Sequence, residues 1–407
     1  MKLTNKLKAK INRMKRKKKV IITICTTIII VGLSLYFAVA SVFDGKLQEY
    51  TGSQNFDSNQ PQSDISKKTV LIVADNGGTE MFDLLAPYYL FNATGQANVF
   101  IVAEKKQPIL LVNSLFILPH FTFAEIDSLN IKADILVIPN LTIHLKTPPK
   151  TSTVNWIKEQ YTGNNIILSI CDGAATMAAT GLYDGKIITT HASDFETLKK
   201  QYPGPTWVKD ISVTQSGNLY STGGVANAVE GSLTVIKETF GDGTLQKVLL
   251  DIKYPRRTIQ LEHKSNKVTI GSILTAVSRY FFKKRTNIGV LLQSDVNEFD
   301  LGSMLDVYSR TIPKSLKSFT IDNKPLKSKY GLTLLPSGKL EHDQIDELKV
   351  LNSAAFTEAE ERQFPKAGIE LYPTVRNHYI LDTYLENINK LYGKKFMNFV
   401  KLTLDYN

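Results

Sequence analysis

Cysteine is nearly absent from this chain: 407 residues contain two, Cys25 and Cys171. Everything after residue 25 therefore has one thiol, and no internal disulfide can staple it. Its stability must come from a buried core. There is no Cys-x-x-Cys pair, and His120, His144, His263, His342 and His378 show no ligand spacing, so no metal site is expected. The Gly-x-x-x-x-Gly-Lys phosphate loop is also missing, and no cofactor is expected. Acidic residues are missing from positions 1–19, which hold ten Lys and Arg. The net charge of +11 is thus concentrated in a tail and leaves a nearly balanced remainder. That argues against nucleic acid as a partner.

Charge of either sign is missing from residues 20–43, VIITICTTIIIVGLSLYFAVASVF. Twenty-four such residues suffice for a helix to cross a bilayer. The basic flank on the N-terminal side should stay cytoplasmic and place the rest outside the cell. A cleaved signal peptide is the alternative, because Ala38-Val39-Ala40 is an A-x-A-like site. The run is longer than a usual signal core, and the membrane anchor is the reading adopted. Residues 44–68, rich in Gln, Asn and Ser, read as a flexible stalk.

From Thr69 onward the pattern is α/β. TVLIVAD, ANVFIVAE, ADILVIPN and NIILSIC are apolar runs that alternate with helical segments such as TEMFDLLAPYYLFNAT and TSTVNWIKEQYTG. That alternation predicts a mainly parallel sheet covered by helices on both faces. Cys171 stands where NIILSI turns into the helix beginning at Gly173. A sharp strand-to-helix turn exposes its central side chain, and the helix N-terminus favours a thiolate. Cys171 is therefore expected to be accessible with a depressed pKa. A small buried core residue is the alternative.

Three stretches, FDLLAPYYLF (82–91), SICDGAATMAATGLYDGKIITTHAS (169–193) and LYSTGGVANAVEGSLTVIKETFGDGTLQKVLLDIKYP (219–255), carry a resemblance. Residues 69–255 resemble the ThiJ/PfpI superfamily, which is class I glutamine amidotransferase-like. Within it they look most like isocyanide-hydratase-like members and the amidase-like modules of AraC-type regulators. The resemblance implies a flavodoxin-like three-layer sandwich with Cys171 as nucleophile, Asp83 as its acidic partner and His191 as the histidine of the TTH strand. It implies Gly223 and Gly224 beside the pocket. Asp172, Gly173, Gly77 and Gly78 are expected to line it and supply oxyanion N–H groups. PfpI-type peptidases carry His after the cysteine; here that position is Asp172, which disfavours proteolysis. Simpler roles stay open: Asp172 and Asp83 as helix N-caps, His191 as a core residue.

Beyond 255 the sequence repeats itself. Phe82-Asp83-Leu84 recurs as Phe299-Asp300-Leu301, Pro108 as Pro325 and Pro119 as Pro336, each 217 positions on. Residues 389–406 resemble 237–254 at an offset of 152. The shorter offset predicts a truncated copy over 286–407 that lacks the elbow strand, the cysteine and the TTH strand. Residues 256–285 should form a linker helix packed on both copies. Two function classes follow. One is an extracytoplasmic module, single-pass in the cell membrane, that binds or senses a small molecule at a reactive cysteine. The other is a thiol-dependent hydrolase, hydratase or amidase-like enzyme. The expected partners are the lipid bilayer, a small-molecule ligand or substrate, and the second copy packed against the first; a homodimer is also compatible.

Overall fold

The computed structural model describes residues 48–406 apart from 53–55, 57–60, 113, 142–146, 266 and 374–376, together with 13–20 and five isolated positions before 48. The expected span over 20–43 lies almost wholly outside the described residues. Among those described, no helix is long and apolar enough to cross a membrane.

The first copy runs β1 (Lys68–Val73), α1 (Met81–Ala93), β2 (Ala97–Ala103), β3 (Ile109–Leu111), β4 (Leu115–Ile117), β5 (Phe121–Thr122), α2 (Phe123–Ser128), β6 (Ile135–Ile138), α3 (Thr151–Gln160) and β7 (Ile166–Ser169). It continues through α4 (Gly173–Thr180), β8 (Ile187–Ile188), α5 (Phe195–Gln201), β9 (Thr206–Trp207), β10 (Val213–Ser216), β11 (Leu219–Thr222) and α6 (Ala228–Asp251). Seven strands form one sheet in the order β10-β11-β7-β6-β1-β2-β5, with only the β10–β11 pair antiparallel. Along β1, Val70 and Ile72 join the core on the α1 and α6 side, while Leu71 and Val73 join the core on the α3 and α4 side. Burial on both faces explains the unbroken apolar run and gives the three layers expected.

The second copy follows α7 (Ile270–Phe282): β12 (Asn287–Leu291), α8 (Glu298–Ser309), β13 (Ser315–Phe319), β14 (Leu326–Lys327), β15 (Thr333–Pro336), β16 (Glu347–Val350), β17 (Gly368–Leu371), α9 (Ile380–Tyr392) and α10 (Lys394–Leu404). Its parallel sheet, β13-β12-β16-β17, reproduces β2-β1-β6-β7. This corrects the expectation of a missing elbow strand, because β17 stands where β7 does. Tyr372 N donates to Val350 O as Ile170 N donates to Ile138 O, so Pro373 occupies the place of Cys171. The strand escaped the sequence reading because Gly368–Leu371 is a half-exposed edge without an apolar run. The first-copy elements without a counterpart among the described residues of the second copy are β5, α2 and everything from α4 to β11.

The repeat extends to fine detail. Gly241 (φ 81, ψ 170) kinks α6 as Gly393 (φ 84, ψ 162) separates α9 from α10, and both lie in a region that suits glycine. Lys253 and Asp405, 152 positions apart, both have left-handed φ, 53° and 52°. Tyr254 donates to Glu230 (2.7 Å) and Tyr406 to Asp382 (2.6 Å), again at that offset.

The copies pack about a pseudo-twofold axis. Phe82 meets Phe299, with ring centroids 5.5 Å apart. A Cβ added to Gly302 would lie 3.1 Å from Leu85 Cβ, and Ile117 pairs with Leu334 where β4 joins β15. In each pair the two residues are 217 apart, so each meets its own counterpart, as in an isologous dimer. This places α1, buried along both faces, between α6 and α8.

Two expectations about connecting segments change. The contacts of α7 lie on the second copy, where Arg279 donates to Thr311 O and stacks on Tyr392, whereas residues 261–262 pair with the first copy at Ile211 and Ser212. Part of the stalk is docked: Tyr50 packs edge-on against Phe116, and Gln48 donates to Ser337 O, while residues 62–66 stay exposed. Tyr50 and Phe56 cover the apolar cluster of Leu110, Phe116, Leu118 and Leu335, and this burial outweighs the polar composition around them.

Candidate functional site

Cys171 lies two residues past the end of β7 and has φ 53°, a left-handed conformation uncommon for a residue with a Cβ. The turn is tight because α4 starts against β6: a Cβ on residue 173 would lie 2.2 Å from Ile138 O, so only glycine fits. Geometrically this is a nucleophile elbow. The thiol, however, is 3% exposed. Burial pushes its pKa well above the ordinary value, and the nearby Asp83, Asp172 and Glu80 carboxyls push it further, against an opposing Asp172 N–H. The expected accessible, acidic thiol is thereby corrected: desolvation and three carboxyls outweigh the helix N-terminus.

Asp83 sits in the first turn of α1, which is capped by Glu80, whose Oε2 accepts from Asp83 N (2.7 Å). Asp83 is thus not the N-cap. Its Oδ2 accepts from Asn140 N (3.1 Å), and its Oδ1 is buried without a hydrogen-bond partner. The hydrogen bond from thiol to carboxyl is therefore not made in this state. Burial lifts the Asp83 pKa to about 7, with the Asn140 N–H opposing and Asp306 assisting. Glu80 is raised well above the carboxylate range, first by burial and then by Asp83 and Asp306. Asp172 precedes α4 but makes no side-chain cap; its Oδ1 accepts from Thr190 Oγ1 (2.7 Å), and burial raises its pKa too.

His191 does not reach the thiol through a hydrogen bond. Its Nδ1 lies 2.7 Å from Ser193 Oγ and its Nε2 3.4 Å from Thr403 O. The glycines expected as oxyanion donors are already committed. Gly78 N donates to Asp75 O, Gly77 N to Asp75 Oδ1, Gly173 N to Ile170 O and Gly223 N to Ser212 O. Gly224 N donates to Asp405 Oδ2 (3.0 Å), from the second copy. Gly77 lines a different cavity, of about 410 Å³, with Tyr50 and Phe116.

Five residues of the site were not anticipated: Glu80, Asp306, Arg310, Asp405 and His263. Arg310, at the end of α8, holds Asp306 with three contacts (2.9, 3.1 and 3.4 Å), donates to Thr403 O (2.7 Å) and lies 3.7 Å from Glu80 Oε1. Asp405 Oδ1 lies 3.0 Å from His263 Nε2, with both side chains buried. Burial opposes ionisation of Asp405, but His263, His191 and the Gly224 N–H together hold its pKa below the usual range. The second copy therefore closes the thiol site with one cation, Arg310, and two carboxyl groups, Asp306 and Asp405. The i, i+4 spacing of Asp306 and Arg310 was visible in the sequence; their approach to Glu80 needed the fold.

Residues 67–238 match the DJ-1/PfpI family. That segment is a DJ-1/PfpI domain. The DJ-1/PfpI domain is 27% identical over 175 residues to isonitrile hydratase of Pseudomonas putida, a match covering 43% of this chain and 74% of that protein. It is 26% identical over 182 residues to protein dj-1beta of Drosophila melanogaster, covering 44% and 94%. The crystal structure of Drosophila melanogaster DJ-1beta aligns with a TM-score of 0.41 and 23% identity, over 46% of this chain and 98% of that one.

The buried thiol of the DJ-1/PfpI domain leads to a measurable expectation. At pH 8, iodoacetamide should modify Cys171 more slowly than a free cysteine, by about tenfold for each unit that its pKa is raised. Peptide mass spectrometry separates Cys171 from Cys25. A rate equal to that of the free amino acid would mean that the site is open in solution.

Proposed function

We propose that the chain is a membrane-tethered module that binds or senses a small polar molecule at the Cys171–Asp83 site. The observation that carries this reading is Asp83 Oδ1, buried and unpartnered in the carboxyl cluster around the thiol. Leaving a buried polar atom unsatisfied costs about 1–3 kcal/mol, which a ligand donor placed there would recover. The committed glycine N–H groups and the protonated thiol favour binding over turnover. Small amides, carbonyl compounds and isonitriles should raise the melting temperature of the wild-type chain and have less effect on Asp83→Asn. No shift with any of them would refute this reading.

A second reading is a thiol-dependent hydratase or hydrolase. It is favoured by the Asp83 pKa of about 7, suited to proton transfer near neutrality, and by the similarity to isonitrile hydratase. Formation of an N-substituted formamide from an isonitrile, lost in Cys171→Ser, would establish it over the first.

The tether is proposed from the basic tail and the uncharged run over 20–43, with the N-terminus cytoplasmic and the globular part extracytoplasmic. Protease added to intact cells should digest everything beyond the span and leave the tail protected. Protection of the whole chain would reverse the orientation.

A further inference from the structure

The helix α7 is amphipathic, but its apolar stripe faces outward. Ile270, Ile273, Leu274 and Phe281 recur at helical spacing and are 78, 43, 61 and 44% exposed; Phe282 beside them is 78% exposed. Only Ala276, Val277 and Arg279 of this helix are buried. An open groove of about 950 Å³ separates α7 from α10, with Leu274, Phe396 and Phe399 along it and Lys267, Lys284 and Lys395 at its rim. Contiguous apolar surface of this kind marks an interaction site.

The charge around the stripe selects the partner. Residues 264–285 and 387–404 together hold ten Lys and Arg and no Asp or Glu. Arg279 is internal, its guanidinium bonded to Thr311 O and Lys284 O, so the outward charge is mainly lysine. Lysine is a mobile point charge on a flexible stem. It suits a diffuse anionic plane better than the fixed, paired geometry that arginine reads in a carboxylate. Exposed phenylalanines and isoleucines flanked by lysines are the composition of helices that lie in a membrane interface.

We infer that the α7–α10 face docks on the surface of an anionic lipid bilayer, with the Ile270–Phe282 stripe entering the headgroup boundary and the lysines meeting lipid phosphates. This is independent of the thiol reading and adds to the tether a second, charge-dependent contact that would fix the orientation of the globular part.

Hydrogen exchange on the full chain tests it, in vesicles of phosphatidylcholine alone and of phosphatidylcholine with phosphatidylglycerol. The tether is the same in both. Amides over 267–285 should exchange at least about fivefold more slowly in the anionic vesicles, the effect expected from even one lysine near such a surface. Added salt should remove the difference. Lys267→Glu combined with Lys283→Glu and Lys284→Glu should abolish it, as should Leu274→Glu, while exchange in α1 and β1 stays unchanged as a control on folding. Equal exchange of α7 in both vesicles overturns the inference but leaves the tether standing. Absence from both vesicle types overturns the inference and the tether together. Protection that grows with protein concentration without lipid assigns the face to a second copy and overturns it. So does equal protection by polyglutamate, which would indicate an acidic polypeptide.

Discussion

Replacing Arg310 with methionine is expected to destabilise the chain by about 3–5 kcal/mol at pH 8, the cost of stranding buried charge. Arg310 is the cation between Asp306 and Glu80, and its loss leaves Glu80, Asp83 and Asp306 facing one another. The penalty should shrink in acid, and the sign follows from proton linkage. Asp83 has a pKa of about 7 when folded and about 3.9 when unfolded, and Glu80 is shifted in the same direction. The folded state therefore holds protons that the unfolded state has lost. Stability contributed by these groups is greatest in acid and falls as pH rises from about 4 through about 7. Without Arg310 both pKa values rise further, so the variant should be close to wild type at pH 5 and much weaker at pH 8. Urea unfolding at the two pH values measures this. A loss independent of pH would mean that Arg310 acts through packing alone.

Phe299→Ala should cost about 3–5 kcal/mol, the range for emptying a buried aromatic site. Phe299 is fully buried and touches Phe82, Tyr89 and Tyr379. Because the pseudo-twofold axis passes between Phe82 and Phe299, Phe82→Ala should cost about the same and shift the same single transition. Two separate transitions, each sensitive to one substitution, would mean that the copies fold independently. That outcome would contradict the continuity of the core, in which α1, α6, α8 and α9 contribute to one cluster.

The parallel strands of the first copy were legible because residues buried on both faces must be apolar at every position, as along Val70–Val73. The repeat was legible from Phe-Asp-Leu and the two prolines, since residues that fix a turn or the dyad tolerate little change. The half-exposed β17 has no such constraint, and so the fourth strand was not seen. Within the site, Cys171 and Asp83 could be located from their place at strand-to-helix turns. Their protonation could not, because it depends on Glu80, Asp172 and Arg310, brought together from sequence distances of up to about 230 residues by packing. Asp405 was beyond reach for a related reason. In sequence it ends a helix; only the dyad delivers it to Gly224 N.

The dyad has a thermodynamic consequence for ligand binding. When two identical subunits complete each other's sites, dilution separates them and occupancy then depends on protein concentration. Here both halves lie on one polypeptide, joined through 256–285, so the local concentration of Arg310 and Asp405 at the thiol is fixed by the connection. Cys171 has Pro373 as its counterpart, leaving a single thiol site for each chain. Titration should give a simple hyperbola with a midpoint unchanged by dilution. A ligand too large for the closed site must displace residues 403–406, and its affinity would be lowered by the free energy of that displacement.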